Sequence, residues 1–445
     1  MITETLVVKE RFTNYPDDSF TLARGLTTGA YEGLLKVLKD HTPEEVVEMV
    51  KQSGLRGRGG AGFPSGAKWS FVPKDVFPKY VVVNDDEGEP CTFKDRELTE
   101  RDPHAIIEGA LICAYAIGAE AVFIYVRGEF ALGVRRLYAA IDEATEQGFI
   151  GERIAGSDFS CKVIVHRGAG AYICGEETAL LESLEGYRGQ PRLRPPFFPA
   201  IKGLYHQPTV VNNVETLATV PHIVNRGVDW FRSMGTEKSP GPKIFSVSGC
   251  VQRPGNYELP LGTPMRDLLQ IAGGLPEGRS FKAVIPGGAS APWLDSLDMT
   301  MDFEALGAAG SMLGSGSVIF LDDSTCAVRM AYISTRFFNH ESCGKCTPCR
   351  EGTWWSVKVM ERIEHGEGRP EDLAILLDVC DQMSAPGPTY MPKGQCFCAL
   401  GDSQAWSLRS AINLFRDEFE QHIQEQACPF PLEARLTVSS RSKAP

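Results

Sequence analysis

Residues Tyr80-Val-Val-Val83, followed at once by Asn84-Asp-Asp-Glu-Gly-Glu-Pro90, combine a short β-branched run with a polar loop. Such a run is typical of a strand that is buried on both faces, as in a parallel sheet. The pattern returns at Ala121 to Val126 and at Cys161 to His166, and an apolar helical stretch follows each strand. Alternation of strand, loop and helix predicts an α/β layer with a largely parallel sheet.

The polar loops after these strands are the candidate ligand site. Ligands of such sheets lie outside the carboxyl ends of the strands, where Asn84–Pro90 and the glycine-rich segment Gly168 to Glu177 both fall. The alternatives for Asn84 to Glu89 are a solvated acidic turn and a hard-cation site built from carboxylates. We favour a ligand-binding loop, because amide and carboxylate side chains suit ring amides and ribose hydroxyls.

A second glycine-rich stretch runs from Arg56 to Trp69. Gly57, Gly59 and Gly62 satisfy the pattern G-x-G-x-x-G, but a helix precedes them and Pro64 follows, whereas the dinucleotide fingerprint needs a strand before and a helix after. The glycines still allow backbone N–H groups to approach a flat or phosphorylated ligand closely. A flexible surface loop is the alternative. The neighbouring basic side chains favour an anionic ligand: Arg56, Arg58 and Lys68.

Length and composition bound the class of protein. A chain of 445 residues predicts about three domains. The net charge of −12 argues against nucleic acid or anionic lipid as a main partner. No secretory signal and no run of about 18 apolar residues is visible, so we expect a reducing compartment in which the 13 cysteines are ligands or core residues.

The pattern divides the chain into segments. Residues 1–40 are expected to form an extended lead-in, and residues 41–240 the α/β domain. From Lys243 the period changes to two, which predicts a small β-rich module over residues 243–325. Helical patterns return at 324–340, 351–364, 371–383 and 404–424, predicting a bundle within residues 326–430. Residues 431–445 are expected to be a mobile tail.

Three cysteines at two-residue gaps lie in this last segment, in Cys343-Gly-Lys-Cys-Thr-Pro-Cys349. Thiolates at this spacing suit an iron-sulfur cluster, whereas structural zinc sites usually come as two separated pairs. A cubane cluster needs a fourth ligand, and the usual cysteine four residues further on is absent. The downstream candidates are Cys380, Cys396 and Cys398.

Taken together, five ordered motifs resemble the NADH-binding flavoprotein subunit of respiratory complex I, over about residues 20 to 430. Each glycine motif alone would be weak, but five at fitting intervals make chance resemblance negligible. The motifs are Gly57-Arg-Gly-Gly-Ala-Gly-Phe-Pro64, the stretch from Asn84 to Arg96, Ala171-Tyr-Ile-Cys-Gly-Glu-Glu-Thr178, Val211-Asn-Asn-Val-Glu-Thr216 and Cys343-Gly-Lys-Cys-Thr-Pro-Cys-Arg-Glu-Gly352.

The resemblance implies a Rossmann-like FMN- and NADH-binding domain, a ubiquitin-like β-grasp domain of the soluble-ligand-binding type, and a C-terminal α-helical bundle with one 4Fe-4S cluster. It makes Cys398 the fourth ligand beside Cys343, Cys346 and Cys349, with Cys396 an additional thiol. Residue by residue, it implies that the following line FMN: Gly57, Gly59, Gly60, Lys68, Asn84, Asp86, Glu87, Tyr172, Gly175, Glu176, Glu177, Asn212 and Asn213.

For NADH the resemblance implies stacking of the adenine on Phe63 and Phe71, with Glu89 positioning the nicotinamide. A Pro-rich loop adds a basic contact from Arg194 and an aromatic contact from Phe197. This loop has one residue more than the usual family pattern, so Phe198 is the alternative to Phe197. The acidic loop also departs from the family, which usually reads Asn-Ala-Asp-Glu-Ser-Glu-Pro-Gly, at three positions: Asp85, Gly88 and Cys91.

The implied function is electron input. NADH would give a hydride to the flavin, and single electrons would pass to the cluster and then to partner subunits, especially a 2Fe-2S thioredoxin-like subunit and a large multi-cluster iron-sulfur subunit. The protein would lie at the cytoplasmic side of the inner membrane, or the matrix side in mitochondria, attached only through the complex. The alternatives are the diaphorase subunit of an NAD-linked hydrogenase or formate dehydrogenase, and a zinc-stabilised scaffold without redox activity. The scaffold does not explain the loops at 57–68 and 84–89.

Overall fold

The computed structural model describes residues 3–384 and 395–430, and these residues form two compact units. The first unit holds the residues up to Gly88, together with Thr92–Ser246 and Asn256–Thr263. The second unit holds Glu89–Cys91, Val247–Gly255 and the residues from Pro264 onward. The expected mobile tail, 431–445, lies outside the described residues.

The first 40 residues are not an extended lead-in, so that expectation was wrong. They contain three helices: α1 (Glu10–Asn14), α2 (Leu22–Thr27) and α3 (Glu32–Asp40). Leu34 and Val37 of α3 are fully buried, and the Glu258 carboxylate accepts hydrogen bonds from the backbone N–H groups of Val7, Val8 and Lys9. Tertiary packing therefore stabilises helices that are too short to form alone.

The first unit contains a parallel four-stranded sheet in the order β3-β2-β1-β4, as the alternating pattern predicts. The strands are β1 (Tyr80–Asp85), β2 (Ala121–Val126), β3 (Lys162–Arg167) and β4 (Thr209–Asn213). The helices that follow α3 in this unit are α4 (Pro43–Ser53), α5 (Ser65–Ser70), α6 (Lys94–Arg101), α7 (Pro103–Ile117), α8 (Ala131–Glu146), α9 (Glu177–Leu184), α10 (Pro199–Lys202), α11 (Val214–Arg226) and α12 (Val228–Arg232).

Helix α7 is the centre of the core, because 14 of its 15 residues are buried. It packs closely on α11: a Cβ on Gly109 would lie 1.9 Å from the carbonyl oxygen of Leu217. Only glycine permits this approach, so the two helices touch along their backbones. The apolar sequence of α7 thus reflects burial on all sides rather than one amphipathic face.

A buried ion network surrounds Glu215, in the first turn of α11. Lys94 Nζ lies 2.9 Å and Lys243 Nζ 3.2 Å from Glu215 Oε2, and both lysine side chains are fully buried. Burial by itself raises the pKa of Glu215, but the charges of Lys243, Lys94 and Arg58 outweigh burial and lower the pKa to about 2. The carboxylate is therefore ionised and balances three buried cations.

The second sheet has four strands in the order β6-β5-β8-β7. They are β5 (Pro242–Gly249), β6 (Gly255–Pro260), β7 (Phe281–Ile285) and β8 (Ser317–Asp322), with β7 antiparallel to β8. Short helices α13 (Met265–Ile271) and α14 (Phe303–Ala308) lie between these strands in the sequence. Strands with one short helix over this stretch were predicted from the change of period; α14 was not.

The predicted helical bundle is also present. Its helices are α15 (Ala327–Glu341), α16 (Thr347–Glu364), α17 (Asp372–Met383), α18 (Ala399–Leu414) and α19 (Arg416–Glu425). Cys380 of α17 is fully buried in the apolar core of this unit. Within the described ranges, none of the helices has the length and apolar character needed to cross a membrane.

We predict that Glu215→Gln strongly destabilises the first unit, because the change leaves Lys94, Lys243 and Arg58 without their buried counter-charge. Loss of one member of a buried ion pair costs about 3–5 kcal/mol, which corresponds to a fall of about 6–20 °C in the unfolding midpoint. Scanning calorimetry measures the effect. The exposed Glu237→Gln is the control, and equal midpoints for the two variants would contradict the prediction.

Candidate functional site

Three strands of the parallel sheet deliver polar segments to one edge. Asn84 lies at the end of β1, Arg167 ends β3 and Asn213 ends β4. Because the strands are parallel, their carboxyl ends meet at the same edge, and Asn84 is the register partner of Asn213. The structure thus brings together residues that are far apart in sequence but were predicted to share one site.

The loop after β1 and the segment after β3 contact each other directly. Asn84 Nδ2 donates to the carbonyl oxygen of Gly175 at 2.9 Å, and Asn84 Oδ1 accepts from the Asp86 backbone N–H at 3.2 Å. A Cβ on Gly88 would lie 2.9 Å from the ring of Tyr172, so this departure from the family pattern permits close packing. Asn84, Asp86, Tyr172 and Gly175 therefore belong to one cluster, as predicted.

Lys68 places a positive charge at this edge. Its Nζ lies 3.1 Å from Glu177 Oε2 and donates to the carbonyl oxygen of Val211 at 3.1 Å. Burial would raise the pKa of Glu177, but the charges of Lys68 and Arg194 prevail and lower it. The lysine remains about a quarter exposed at 26%, which leaves its charge accessible to an anionic group.

Arg194 of the Pro-rich loop joins the same charged group. Its Nη2 lies 2.5 Å from Glu176 Oε1 and 3.0 Å from Glu177 Oε1. The other oxygen of Glu176 accepts from the Thr178 and Ala179 backbone N–H groups and so caps α9. The two glutamates are held by basic side chains and by a helix N-terminus.

The two aromatic residues of the Pro-rich loop differ in environment. Phe197 is half-buried; Lys202 Nζ lies 4.9 Å from its ring centroid and the His206 ring 5.8 Å from it. Phe198 is 45% exposed. The choice between them as the nucleotide contact stays a prediction.

The asparagines at the end of β4 fix the neighbouring elements. Asn212 Oδ1 accepts from the indole N–H of Trp69 at 2.8 Å, which ties β4 to α5. Asn213 Nδ2 donates to Asp95 Oδ2 at 2.7 Å, while its Oδ1 accepts from the Glu215 backbone N–H and caps α11. Both side chains therefore make structural hydrogen bonds at the edge of the site.

The carboxylate of Glu87 caps α6 by accepting from the backbone N–H groups of Asp95 at 2.8 Å and Arg96 at 3.0 Å. Burial and the charge of Asp95 raise the pKa of Glu87 to about 7. Arg127, which follows β2, donates to the carbonyl oxygen of Glu87 at 2.6 Å. The sequence analysis missed Arg127, although a basic residue directly after a predicted strand was an available signal.

The glycine-rich stretch forms a turn closed by an isolated β-bridge between Arg56 and Pro64. A Cβ on Gly59 would lie 2.9 Å from the Cβ of Asn213, whereas one on Gly60, at φ 154°, would meet no atom of the protein within 4 Å. Gly59 is thus needed for packing, and Gly60 faces open space. Arg58 is fully buried, so its expected role beside an anionic ligand is wrong; its charge acts on Glu215 instead.

Two aromatic rings follow this turn on the surface. Phe63 is 46% and Phe71 56% exposed, and their ring centroids lie 6.1 Å apart at an interplanar angle of 53°. Large exposed aromatic rings are costly unless they bind something. Their geometry provides an apolar platform for a flat ring.

In the second unit, Glu89 is held by the segment after β7. The Ser290 backbone N–H donates to Glu89 Oε1 at 2.9 Å, and the Ser290 hydroxyl donates to Oε2 at 2.5 Å. Gly288 has φ 96°, and a Cβ there would lie 2.5 Å from Glu89 Cγ. The sequence analysis did not find Ser290, which is separated from Glu89 by 201 positions.

Two other departures from the family pattern have visible consequences. Asp85 is 1% exposed, and burial together with the charge of Asp95 raises its pKa well above the usual range, while the Thr99 hydroxyl donates to its Oδ2. Cys91 has φ 67°, in the left-handed region that favours glycine. An L-residue at this position is strained by about 1–2 kcal/mol.

The cysteines of the second unit gather at helix N-termini. Cys346 is the N-cap residue of α16 and Cys398 the N-cap residue of α18, while Cys349 lies in the first turn of α16. Hydrogen bonds from the Cys349 and Cys396 thiols lower the pKa of Cys346, and the charge of Cys398 contributes to raising that of Cys349. Helix N-termini favour thiolates, so this arrangement suits a ligand set.

Cys396 and Cys398 both lie beside the run, so proximity alone does not choose the fourth ligand. Cys396 Sγ donates to the Met383 carbonyl oxygen at 3.7 Å, and a Cβ on Gly401 would lie 2.5 Å from that sulfur. Cys343 and Cys346 are half-buried and the other thiols buried. Cys398 as fourth ligand stays a prediction.

Three family models match the chain in order. The model of the Nuo51 FMN-binding domain covers residues 50–222, that of the SLBB domain residues 244–291, and that of the NADH-ubiquinone oxidoreductase-F iron-sulfur binding region residues 329–422. These match the predicted α/β domain, β-grasp module and helical bundle in type and order.

Relatives cover nearly the whole chain. The second F subunit of the NADH-quinone oxidoreductase of Rhizobium meliloti (strain 1021) is 58% identical over 406 residues, which is 90% of this chain and 94% of that protein. The corresponding F subunit of Mycobacterium bovis is 52% identical over 432 residues, 95% of each. A crystal structure of NAD+-reducing [NiFe]-hydrogenase in the H2-reduced state has a TM-score of 0.79 and 37% identity, covering 95% of this chain and 70% of that one. The chain belongs to the family of NADH-quinone oxidoreductase F subunits.

Proposed function

We propose that this chain is the electron-input subunit of an NADH:quinone oxidoreductase, which oxidises NADH through FMN and passes electrons singly to a 4Fe-4S cluster. The observation that carries the proposal is that one chain combines a charged and glycine-rich sheet edge in the first unit with converging thiols at helix N-termini in the second. A scaffold without redox activity needs only the second feature.

The residues at the sheet edge fit an FMN. Gly60 leaves open space beside the turn, Lys68 supplies accessible positive charge for a phosphate, and the Asn84 segment supplies amide and carboxylate groups for the ring and ribityl chain. The proposed FMN-binding residues remain Gly57, Gly59, Gly60, Lys68, Asn84, Asp86, Glu87, Tyr172, Gly175, Glu176, Glu177, Asn212 and Asn213. Bound FMN supplies hydride acceptance from NADH and release of the electrons one at a time.

The hydrogen bonds divide these residues into two roles. Glu87, Glu176 and Asn213 cap helices, so they hold the loops in place. Lys68 and Arg194 face the Glu177 carboxylate and keep charge at the edge. The loops are thereby fixed before a ligand binds, which reduces the entropy lost on binding.

For NADH, the exposed pair Phe63 and Phe71 offers a stacking platform for the adenine, and Arg194 with Phe197 offers a basic and an aromatic contact. Glu89 is proposed to position the nicotinamide. Because both of its carboxylate oxygens accept from Ser290, its orientation is fixed. Positioning is the main demand on the protein in hydride transfer.

The thiols fit a 4Fe-4S cluster, with Cys343, Cys346, Cys349 and Cys398 as proposed ligands. The donor set is all sulfur, which suits iron-sulfur chemistry. Gly401 leaves room for the sulfurs to approach, since a Cβ there would lie 3.4 Å from Cys349 Cβ. A bound cluster carries single electrons.

Exposed aromatic residues near the cysteine run support a docking surface for partner subunits. Trp354 and Trp355 of α16 are 45% and 53% exposed, and Phe397 is 48% exposed. Such residues are enriched at protein interfaces. The proposed partners are a 2Fe-2S thioredoxin-like subunit and a large multi-cluster iron-sulfur subunit, at the cytoplasmic or matrix side of the membrane.

The likeness to the NAD+-reducing hydrogenase structure supports one second candidate, the diaphorase subunit of an NAD-linked hydrogenase or formate dehydrogenase. The two candidates share the NADH chemistry and differ in the acceptor. Affinity purification of the tagged chain from its own cells, with identification of the co-purifying subunits, distinguishes them. Quinone-reducing partners support the proposal, and hydrogenase or formate dehydrogenase subunits contradict it.

The cofactor content tests the redox function itself. We expect the anaerobically purified chain to contain flavin and about four irons per cluster, and to reduce ferricyanide with NADH. Metal analysis, the visible spectrum and NADH-dependent reduction measure this. Protein that is correctly folded and contains zinc without iron or flavin would contradict the proposal.

We predict that Glu89→Gln lowers kcat/KM for NADH while the flavin content stays normal. Glutamine keeps only one acceptor oxygen for the two hydrogen bonds from Ser290, and loss of one charged hydrogen bond corresponds to about a tenfold fall. Steady-state kinetics with ferricyanide measures it. The exposed Glu277→Gln is the matched control, and unchanged kinetics for Glu89→Gln would remove Glu89 from the nucleotide site.

We also predict that Ser290→Ala acts in the same direction as Glu89→Gln, because Ser290 positions the Glu89 carboxylate. Combining the two changes should cost less than the sum of the separate effects, since both remove the same contact. A double-mutant cycle on kcat/KM measures this coupling. Strictly additive effects would show that Ser290 acts independently of Glu89.

Finally, we predict that Cys398→Ser loses the EPR signal of the reduced cluster, whereas Cys396→Ser largely keeps it. A hydroxyl is a poor replacement for a thiolate that binds iron, but an adequate one for a thiol that donates to a backbone carbonyl. EPR spectra and iron content of both variants provide the comparison. The reverse order would assign Cys396 as the fourth ligand.

A further inference from the structure

A second cluster of metal-binding side chains lies in the helical bundle, formed by Cys326, His422 and Cys428. Cys326 precedes α15, His422 lies in α19, and Cys428 follows that helix. Their ligating atoms all lie within 4.8 Å of one another. None of these residues belongs to the cysteine run or to the ligand set proposed for the iron-sulfur cluster.

The distances fit one tetrahedral ion. The sulfurs of Cys326 and Cys428 lie 3.8 Å apart, and Cys326 Sγ lies 3.4 Å from His422 Nε2. Zinc bonds of about 2.3 Å to sulfur and about 2.0–2.1 Å to nitrogen, at tetrahedral angles, place two sulfurs about 3.8 Å and sulfur and nitrogen about 3.5 Å apart. The separations in the protein are close to both values.

The histidine is oriented as a ligand. His422 is fully buried, and its Nδ1 lies 2.7 Å from the carbonyl oxygen of Glu418. Since a carbonyl oxygen only accepts, Nδ1 carries the hydrogen and the lone pair of Nε2 faces the sulfur of Cys326. A hydrogen bond from the second ring nitrogen to a backbone carbonyl is the usual support of a metal-binding histidine.

The surroundings of Cys326 favour a thiolate that is balanced by a cation. Its sulfur is the N-cap of α15 and accepts from the Arg329 backbone N–H at 3.3 Å. Both the helix N-terminus and this N–H donor stabilise negative charge on sulfur.

A buried carboxylate lies in the electrostatic field of this cluster. Burial, and to a smaller extent the charge of Glu364, raise the pKa of the Cys326 thiol. Glu364 is 8% exposed; its Oε1 lies 3.3 Å from Arg329 Nη1, and within the described part of the chain its Oε2 has no hydrogen-bond partner. A carboxylate oxygen with spare capacity is a suitable fourth zinc ligand.

We propose that Cys326, His422 and Cys428 bind one structural zinc ion, with an oxygen ligand in the fourth position. Two thiolates, one imidazole and one oxygen form a borderline donor set that suits zinc better than calcium or magnesium. The ion would join the start of α15 to α19 and to the segment that follows α19. Its role is to fix the last described residues to the bundle.

The main test uses the full chain, purified anaerobically with its iron-sulfur cluster. We expect one zinc per chain in addition to iron by mass spectrometry of the metals. Cys428→Ser, at a half-buried position that tolerates substitution, should lose the zinc and keep the iron and the EPR signal. Cys250→Ser, another half-buried thiol of the same unit, is the matched control and should keep both metals.

A second measurement covers variants that fail to fold. Cobalt(II) replacing zinc in the unaltered chain should give an absorption band from thiolate-to-metal charge transfer, and its intensity should fall in His422→Gln as well as in Cys428→Ser. Zinc retained by both variants would overturn the proposal, as would a zinc-free chain whose Cys326 and Cys428 thiols both react with alkylating reagents. A Cys326–Cys428 disulfide in chain purified without oxidant would overturn it too.

Discussion

One buried carboxylate, Glu215, connects the parts on which the flavin-type site is built. Its oxygens contact Lys94 and Lys243, and Oε1 also accepts from the Ile244 backbone N–H at 2.8 Å. Lys243 in turn donates to the carbonyl oxygen of Arg58 in the glycine-rich turn at 3.0 Å. A single residue of α11 thus holds α6, the start of β5 and the turn in fixed positions.

Such a network is not an efficient source of stability. Burying charges is costly, and apolar residues of similar volume often stabilise a core as well. A network of fully buried charges is, however, strict about geometry, because any displacement leaves an ion without its partner. In this protein the strictness falls on the turn and on the N-terminus of α6, which Glu87 caps. Both lie next to the sheet edge, where a ligand needs a rigid surface.

The sequence predicted the elements whose signals are local. β1 begins at Tyr80 as expected, and β7 has the predicted bounds Phe281–Ile285. The five motifs also identified the loops that meet at the sheet edge, because parallel strands must bring their carboxyl ends together. The helices of residues 1–40 were missed, since they are short and depend on packing partners such as Glu258, far along the chain. The side-chain partners of the site were less predictable than its loops: nothing local to Glu89 indicates Ser290, and nothing in the turn indicates that Arg58 is buried against Glu215.

The two groups of sulfur ligands show the same contrast in chemical form. Cys343, Cys346 and Cys349 are brought together by the turn into one helix, so their spacing alone indicates a metal. Cys326 and Cys428 are 102 positions apart and approach only after α15 and α19 have packed. The first set presents ligands before the bundle is complete, and the second exists only in the folded bundle. Metal at the second site would therefore bind the folded state selectively, and its binding free energy would add directly to the stability of the bundle.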